Sequence, residues 1–322
     1  MTSPAPSVVK ANIINSDFGT SVALVIAIIL LVLAPLAIYS VFLMQALCIA
    51  LFACAFNLLV GYAGLLSFGH AMFLGSAGYV CAHAVKVWGV EPLTAILMGA
   101  TAAATIGLFT GALAVRRQGI YFAMITVAFS QMIYFYYLQA PFTHGEDGIT
   151  SVDPGKLLGL VSLSNSTLMY YFVLAICVSG FLLIYRTINS PFGEVLKAIR
   201  ENEPRAISLG YRVDQYKLAA FVLSAALAGL AGATKALVTQ NASLTDVSFS
   251  TSGEVVLMTL LGGMGTLIGP VVGAFLIVFM KFYLSGYGQW VTVIQGLIFV
   301  ACVLLFRRGI VGELARLTKR SL

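Results

Sequence analysis

The sequence predicts an all-α polytopic membrane protein with about eight to ten transmembrane helices, some of them broken or re-entrant at Gly-rich segments. The composition is the first reason, because 60% of the 322 residues are hydrophobic, only 9% are charged and the mean hydropathy is +0.98. Soluble domains carry about 25% charged residues. The second reason is length, since a bilayer core about 30 Å thick needs about 20 apolar residues per helix. Several runs reach that length.

The expected spans follow one another along the chain. The apolar run 21–60 is about twice the length of one crossing and is interrupted at Pro35, so it divides into a span that ends near residue 33 and one that begins near residue 39. The later spans are expected at 68–85, 93–115, 120–140, 168–185, 218–239, 255–283 with a Gly-rich interruption, and 291–306. The domain organisation is then a short tail over 1–20, one membrane domain over 21–308 and a basic tail over 309–322.

Lysine and arginine in short loops orient the spans, because such loops stay in the cytoplasm. Arg116 and Arg117, the loop 186–217 and the C-terminal tail are therefore expected to be cytoplasmic. The segment 141–167 has a net charge of −2 and is expected outside. This orientation puts the N-terminus in the cytoplasm and requires the run 255–283 to turn back on itself.

Several classes of chemistry have no counterpart in the sequence. There is no G-x-x-x-x-G-K-[ST] phosphate loop, no H-E-x-x-H and no G-x-S-x-G motif, so ATP hydrolysis and covalent catalysis are expected in other proteins. The cysteines fall in apolar spans without paired spacing and are expected to be packing residues rather than a disulfide framework or a metal site. They are Cys48, Cys54, Cys81, Cys177 and Cys302. We expect no enzyme activity and no cofactor in this chain.

Two Gly-rich segments share a pattern. NLLVGYAGLLSFGHAMFLGSAGY begins at residue 57 and LLGGMGTLIGPVVGAF at residue 260, and both have a double Leu, a nearby Gly, a short Gly-containing turn and a second apolar run. One interpretation is helix packing through small residues at four-residue spacing, as in Gly265, Gly269 and Gly273, or in Ala225, Gly229 and Ala233. The other is that 61–69 and 262–270 are broken helices that line a pathway. Both can hold together.

The candidates for a translocation path are the glycine and polar residues in these segments and inside the spans. They are Asn57, Gly61, Gly64, Ser67, Gly69, His70, Gln131, Gly262, Gly263 and Gly265. For His70 a local hydrogen bond at a broken helix is the alternative to a place in the path. Lys235 and Glu254 lie near span ends, where snorkelling explains them. Lys281 is deeper, and charge inside a membrane is costly enough to suggest a functional role.

The loop 186–217 gathers six basic and four acidic residues, a net charge of +2, between two apolar runs. Apolar and charged residues alternate there with helical spacing, which predicts a short amphipathic helix at 191–201 with Ser190 as its cap. Pro204 interrupts it, and a second turn at 205–209 is expected to close at Gly210. A mixed-charge amphipathic helix suits docking into a groove on another protein. The alternative is a solvated loop that lies on the lipid headgroups.

Four blocks of sequence, in order, resemble branched-chain amino-acid ABC transporter permeases of the LivM type. They are the segment from residue 57, GIYFAMITVAFSQMIY, SPFGEVLKAIRENEPRAISLGY followed by KLAAFVLSAALAGLAGA, and the segment from residue 260. The external stretch PFTHGEDGI also has a counterpart in that family. The resemblance covers about 20–308; Glu146 and Met264 depart from the family pattern without disturbing it.

The resemblance implies a role for the charged loop and a set of partners. In that family the corresponding loop docks on the ATPase, which makes Phe192, Glu194, Val195, Leu196, Lys197, Ile199, Arg200, Glu201 and Arg205 the candidate coupling residues. It further implies a second related permease chain, two cytoplasmic ATPases that bind ATP and Mg²⁺, and an external solute-binding protein. A small amino acid would cross the bacterial inner membrane by alternating access, with lipids around the chain and no nucleic acid involved.

Other functions are compatible with the same sequence features. An ABC permease for urea, short-chain amides or other amino acids would share these motifs. An ion-coupled secondary transporter is disfavoured because no span has a central acid, and an intramembrane enzyme lacks a visible nucleophile or metal set. The sequence does not decide which solute is carried, which residues contact it or how many spans there are. It also leaves open whether two permease chains form a homodimer or a heterodimer.

Overall fold

The structure, a computed structural model, describes residues 29–36, 38–157, 161–284, 286, 288, 290–305 and 309–317. The expected tail 1–20, the first part of the first span and the end of the basic C-terminal tail lie outside the described residues. The residues at 29–33 are helical. The following α-helices are α1 Ser40–Asn57, α2 Ala71–Lys86, α3 Pro92–Ala114, α4 Ile120–Gln139, α5 Ser166–Ile188, α6 Pro191–Glu201, α7 Glu203–Ser208, α8 Val213–Thr239, α9 Phe249–Gly262, α10 Gly269–Leu284, α11 Trp290–Leu305 and α12 Gly309–Leu317.

Long apolar helices dominate the described residues, which confirms the predicted all-α polytopic fold. Five are long and apolar enough to cross a membrane: Ser40–Tyr62, Pro92–Ala114, Ile120–Gln139, Ser166–Ile188 and Val213–Thr239. The first of these combines α1 with a π-helical turn, Leu58–Tyr62. Shorter apolar helices cover Phe249–Gly262, Gly269–Leu284 and Val293–Cys302. Each lies at an expected span, although Val213–Thr239 begins five residues and Phe249–Gly262 six residues before the expected start.

Helix α8 lies at the centre of the bundle, where small residues bring it close to its neighbours. A Cβ added to Gly99 of α3 would lie 2.9 Å from the Cβ of Ala233, and a Cβ on Gly229 would clash with Ala103. On the other side, a Cβ on Gly232 would collide with the backbone of Leu74 in α2. The small-residue spacing in α8 therefore serves close helix packing, as one of the two sequence interpretations expected.

Helices α9 and α10 form an antiparallel hairpin. Gly262 at the end of α9 meets Gly269 at the start of α10, and Met258, one turn earlier in α9, meets Gly273, one turn later in α10. At the far end, Lys281 Nζ lies 2.6 Å from Glu254 Oε2. The run 255–283 thus turns back on itself, as the charge distribution predicted, and Lys281 is paired.

We expect Gly273→Ala to destabilise this hairpin by about 1–3 kcal/mol, because its Cβ would be driven into the carbonyl of Met258. Gly296 of α11 is the matched control, since a Cβ there meets nothing within 4 Å and Ala is favoured over Gly inside a helix. Thermal unfolding of the detergent-purified variants measures both effects. Equal melting temperatures for the two variants would contradict the close contact.

Short strands and turns occupy the side opposite the charged loop. Strand β1, Ile149–Thr150, pairs antiparallel with β4, Asn241–Ala242, and so ties the acidic segment to the end of α8. A second pair joins β2, Lys156–Leu157, to β3, Val161–Ser162. Lys86 Nζ at the end of α2 donates to Thr150 O at 2.7 Å. The acidic segment and the charged loop therefore lie at opposite ends of the bundle.

The orientation of the ends remains a prediction. In intact cells, Asp153→Cys should react with a membrane-impermeant maleimide, because Asp153 is exposed at the acidic end and lysine-poor loops face out. Lys197→Cys, at the other end, should react only after the membrane is permeabilised. Strong labelling of position 197 in sealed cells would reverse the topology.

Candidate functional site

The backbone between α1 and α2 is non-helical at membrane depth. Residues 63–70 follow the π-helical turn, with Gly64 at φ +72°. Phe68 N donates to Thr126 Oγ1 of α4 at 3.2 Å. Helix α4 begins shortly after Arg117, and Thr126 lies about 9 Å along the helix from that beginning. The segment thus runs from the end that carries the charged loop into the bundle, and α2 begins inside it. This confirms the predicted broken helix.

The two Gly-rich breaks meet. Asn57 Nδ2 donates to Thr266 O at 2.9 Å, and Gly265 N donates to Asn57 Oδ1 at 3.0 Å. A Cβ on Gly61 would lie 2.8 Å from Gly265 N. One buried amide therefore bridges segments 209 residues apart, and only glycine at position 61 allows the approach.

Arg200 of α6 reaches this meeting point. Its guanidinium Nη1 donates to Gly61 O, one of the carbonyls that the end of a helix leaves without an intrahelical partner. The stem of Arg200 lies against Gly64, whose added Cβ would be 3.1 Å from Arg200 Cγ, and Nη1 would be 3.3 Å from a Cβ on Gly265. We call Asn57, Gly61, Gly265 and Arg200 the junction. It connects the expected coupling helix to both breaks.

The other path candidates lie apart from the junction. Ser67 Oγ accepts from Gly69 N at 3.4 Å, and Gly69 packs against Ser130 of α4. Gly262 and Gly263 shape the turn of the α9–α10 hairpin, Gly263 with φ +120°. Gln131 is half-buried on α4. The structure therefore groups Asn57, Gly61, Gly64 and Gly265 and separates the rest.

His70 is a packing residue in this conformation. Its ring is fully buried among Phe52, Phe56 and Phe73, with centroid distances of 5.2–5.9 Å. Nε2 lies 3.0 Å from Ser224 Oγ of α8, and Nδ1 has no hydrogen-bond partner among the described residues. The local hydrogen bond, the alternative left open by the sequence, is the role that this geometry supports.

The amphipathic helix forms as predicted, but its apolar face is turned toward its own chain. Helix α6 begins at Pro191, where Ser190 Oγ accepts from Gly193 N at 3.4 Å. Leu196 and Ile199 are 0% and 2% exposed. The expectation that their side chains form a docking surface is therefore wrong for this conformation; they anchor the helix.

Further contacts hold α6 and α7 to the base of α8. Lys217 Nζ lies 2.6 Å from Glu203 Oε1, with side chains 4% and 20% exposed. Ile199, Ala206 and Val213 form a small apolar cluster. The ring of Phe192 stacks on that of Tyr216 at 5.6 Å. The two short helices thus form one tightly held element, which we call the coupling element after the role that the sequence resemblance implies for it.

Among the candidate coupling residues, the exposed ones are charged. Glu194, Arg200, Glu201 and Arg205 are exposed, Phe192, Val195 and Lys197 are intermediate, and Lys197 pairs with Glu194 at 2.8 Å. Three apolar side chains with no role predicted from the sequence are exposed beside them: Ile207, Leu209 and Tyr211, at 58%, 69% and 41%. The sequence signal was a large apolar side chain at every second position from 207 to 211, with no assigned partner.

An apolar cavity and a second ion pair lie away from the junction. A cavity of about 150 Å³ between α1, α5 and α10 is lined by apolar residues such as Leu51, Val178 and Val271, so it offers no partner to a charged ligand group. Lys235 pairs with Asp246, which connects α8 to the turn before α9. No group of three His, Cys, Asp or Glu residues that could hold a metal occurs among the described residues.

Comparison with known proteins adds an independent finding. Residues 38–306 match the family model described as branched-chain amino acid transport system / permease component. The chain is 26% identical to the high-affinity branched-chain amino acid transport system permease proteins LivM of Salmonella typhimurium, over 278 residues, and of Escherichia coli, over 277 residues. Each alignment covers 79% of this chain and 65% of the relative, so the chain spans 65% of their length.

A second kind of relative also matches. The probable permease protein LivH of Methanocaldococcus jannaschii is 26% identical over 166 residues, 47% of this chain and 50% of the relative. No solved structure matches. The apolar helices and the family match support a multi-pass protein of the bacterial inner membrane. Because the match covers most of the chain, this protein belongs to the family of permease components of branched-chain amino acid transport systems.

Proposed function

We propose that this chain is a transmembrane permease subunit of an ABC importer for branched-chain or other hydrophobic amino acids. The observation that carries the proposal is the junction, in which Arg200 of the coupling element donates to Gly61 O beside Gly265. Through this contact, a movement of the coupling element at the cytoplasmic end is transmitted directly to the two broken helices in the bundle. The family match supports the substrate class.

The coupling element suits the transmission of motion. Its inner face is fixed by Leu196, Ile199 and the buried Lys217–Glu203 pair, so α6 and α7 move as one body rather than as a loose loop. Its outer face presents Ile207 and Leu209 to the cytoplasm. A cytoplasmic ATPase docks on that apolar patch, and closure of an ATPase pair shifts the junction.

The partners follow from this mechanism. Two cytoplasmic ATPase subunits bind ATP and Mg²⁺, which this chain has no phosphate loop to hold. A second related permease chain completes the path, in keeping with relatives named LivM and LivH. A solute-binding protein docks at the acidic end, where β1 and β4 tie the acidic segment to α8. ATP-driven alternating access moves the solute inward.

The test is uptake by the complete transporter, reconstituted in vesicles with its ATPases, second permease and binding protein. We expect ATP-dependent uptake of labelled leucine, isoleucine or valine, with little uptake of urea or acetamide. Preferred uptake of urea or acetamide would instead make the chain a subunit of an ABC permease for urea or short-chain amides. Uptake driven by a proton or sodium gradient without ATP would reject the ABC mechanism altogether.

A further inference from the structure

A groove lies between α4 and α9, with the broken segment as its floor. Phe68 N is bonded to Thr126 of α4, and Ala71 N donates to Ser252 Oγ of α9 at 3.0 Å. The rings of Phe68 and Phe249 are 6.5 Å apart. The segment 66–70 therefore fills the space between two helices and presents one side outward.

That outward side is exposed on this chain at membrane depth. Leu66 is 39% exposed and Phe249 is 45% exposed, while Phe68 is half-buried. Non-helical backbone inside a bilayer survives only where protein covers it or a water-filled path borders it, because lipid cannot satisfy its N–H and C=O groups. The groove is therefore unsuited to face lipid.

Gln131 gives a second, independent reason. It lies about 16 Å along α4 and two residues from Phe129, hence about 200° around the helix from it. The ring of Phe129 contacts Phe109 of α3, so Gln131 occupies the flank of α4 away from α3. Its half-buried amide has no hydrogen-bond partner among the described residues. An unpaired amide in hydrocarbon costs several kcal/mol.

In α9, which forms the opposite wall, a glycine leaves space beside the helix backbone. Gly253 of α9 follows Phe249 by four residues and shares its face of the helix, and a Cβ at Gly253 would meet nothing within 4 Å. Leu66 and Phe68 thus give the groove an apolar floor and Phe249 gives it an apolar wall, and Gln131 adds a polar amide on the flank of α4 away from α3.

We propose that this groove, lined by Leu66, Phe68, Gln131, Phe249 and Gly253, is the share of the translocation path that this chain contributes. Its apolar walls take the aliphatic side chain of an amino acid, and the amide of Gln131 hydrogen-bonds to the carboxylate or ammonium group. The inference rests on the proposed function and names the substrate-lining residues for it. His70 and the apolar cavity lie outside the path.

The first test measures water access in the complete transporter. Single cysteines replace Gln131, Gly253 and, as a control on an exposed apolar face outside the groove, Leu108 of α3, which is 52% exposed. Cys302→Ala removes a half-exposed native thiol. A negatively charged methanethiosulfonate should modify positions 131 and 253 at least tenfold faster than position 108, and leucine delivered by the binding protein should slow that reaction. Equal, slow modification at all three positions, with Lys197→Cys reacting normally, would place the groove against lipid or protein and overturn the proposal.

The second test measures transport. Gln131→Leu should reduce leucine uptake at least tenfold with assembly unchanged, whereas Gln131→Asn should retain most of it and Leu108→Ala should have no effect. Native uptake in Gln131→Leu would remove the amide from the path. If the native transporter took up no leucine, the proposed function would fail, but the modification rates would still decide whether the groove is water-lined.

Discussion

The double replacement Leu196→Asp and Ile199→Asp should unfold the coupling element rather than merely release a partner. Both side chains are buried in this chain, at 0% and 2% exposure, so each new carboxylate would be placed in an apolar site without a partner. Removing the apolar packing and burying unpaired polar groups together costs well over 4 kcal/mol. The expected result is a large loss of yield and of thermal stability of the purified chain.

A matched pair of variants separates anchoring from docking. Ile207→Asp and Leu209→Asp change the same number of residues to the same side chain on the exposed face, at 58% and 69% exposure. Such surface changes usually stay within about 0.5 kcal/mol, so this chain should melt normally but no longer retain its ATPase in a pull-down. If the buried pair melted normally and lost the ATPase, the assignment of the two faces would have to be exchanged.

The spans were predictable because bilayer thickness fixes the length of an apolar run. Helices α3 and α4 begin and end within one residue of the sequence expectation, and the break at Gly262–Gly269 falls inside the predicted interruption. The hairpin of α9 and α10 followed from charge alone, since both flanking loops had to lie on the same side. Local pattern and topology together therefore determine most of this fold.

The direction of burial was not predictable from the same pattern. The alternation of Leu196 and Ile199 with charged residues shows that one face of α6 is covered, but an amphipathic pattern is the same whether this chain or another protein covers it. Nor does any local signal connect Asn57 to Thr266, because 209 residues separate them. Contacts of this kind depend on how the helices pack, and so does the junction.

Replacing Arg200 with Ala should uncouple transport from ATP hydrolysis and leave the transporter assembled. The guanidinium donates to Gly61 O, and a hydrogen bond from a charged donor is worth about 1.5–3 kcal/mol, with a further contribution from a cation at a helix C-terminus. If that bond is present in only one of the two states of the transport cycle, its loss changes their ratio by about 10- to 150-fold. Leucine transported per ATP hydrolysed should fall by a similar factor, while pull-down of the ATPase stays native.

Lys197→Ala is the control on the same helix, because it also removes a positive charge, and Lys197 pairs with Glu194 at the surface. Exposed pairs contribute about 0–1 kcal/mol, so its coupling ratio should stay native. Arg200→Lys should recover part of the ratio, since an ammonium group still favours the helix end but cannot reproduce the reach and geometry of the guanidinium. If Arg200→Ala kept the native ratio of leucine transported to ATP hydrolysed, the junction would not be needed for coupling. If the ratio fell equally in both alanine variants, the effect would come from the net charge of the helix. A loss of the coupling ratio in Arg200→Ala alone would show that the contact between α6 and the broken helix transmits the motion of the ATPase to the membrane-spanning helices.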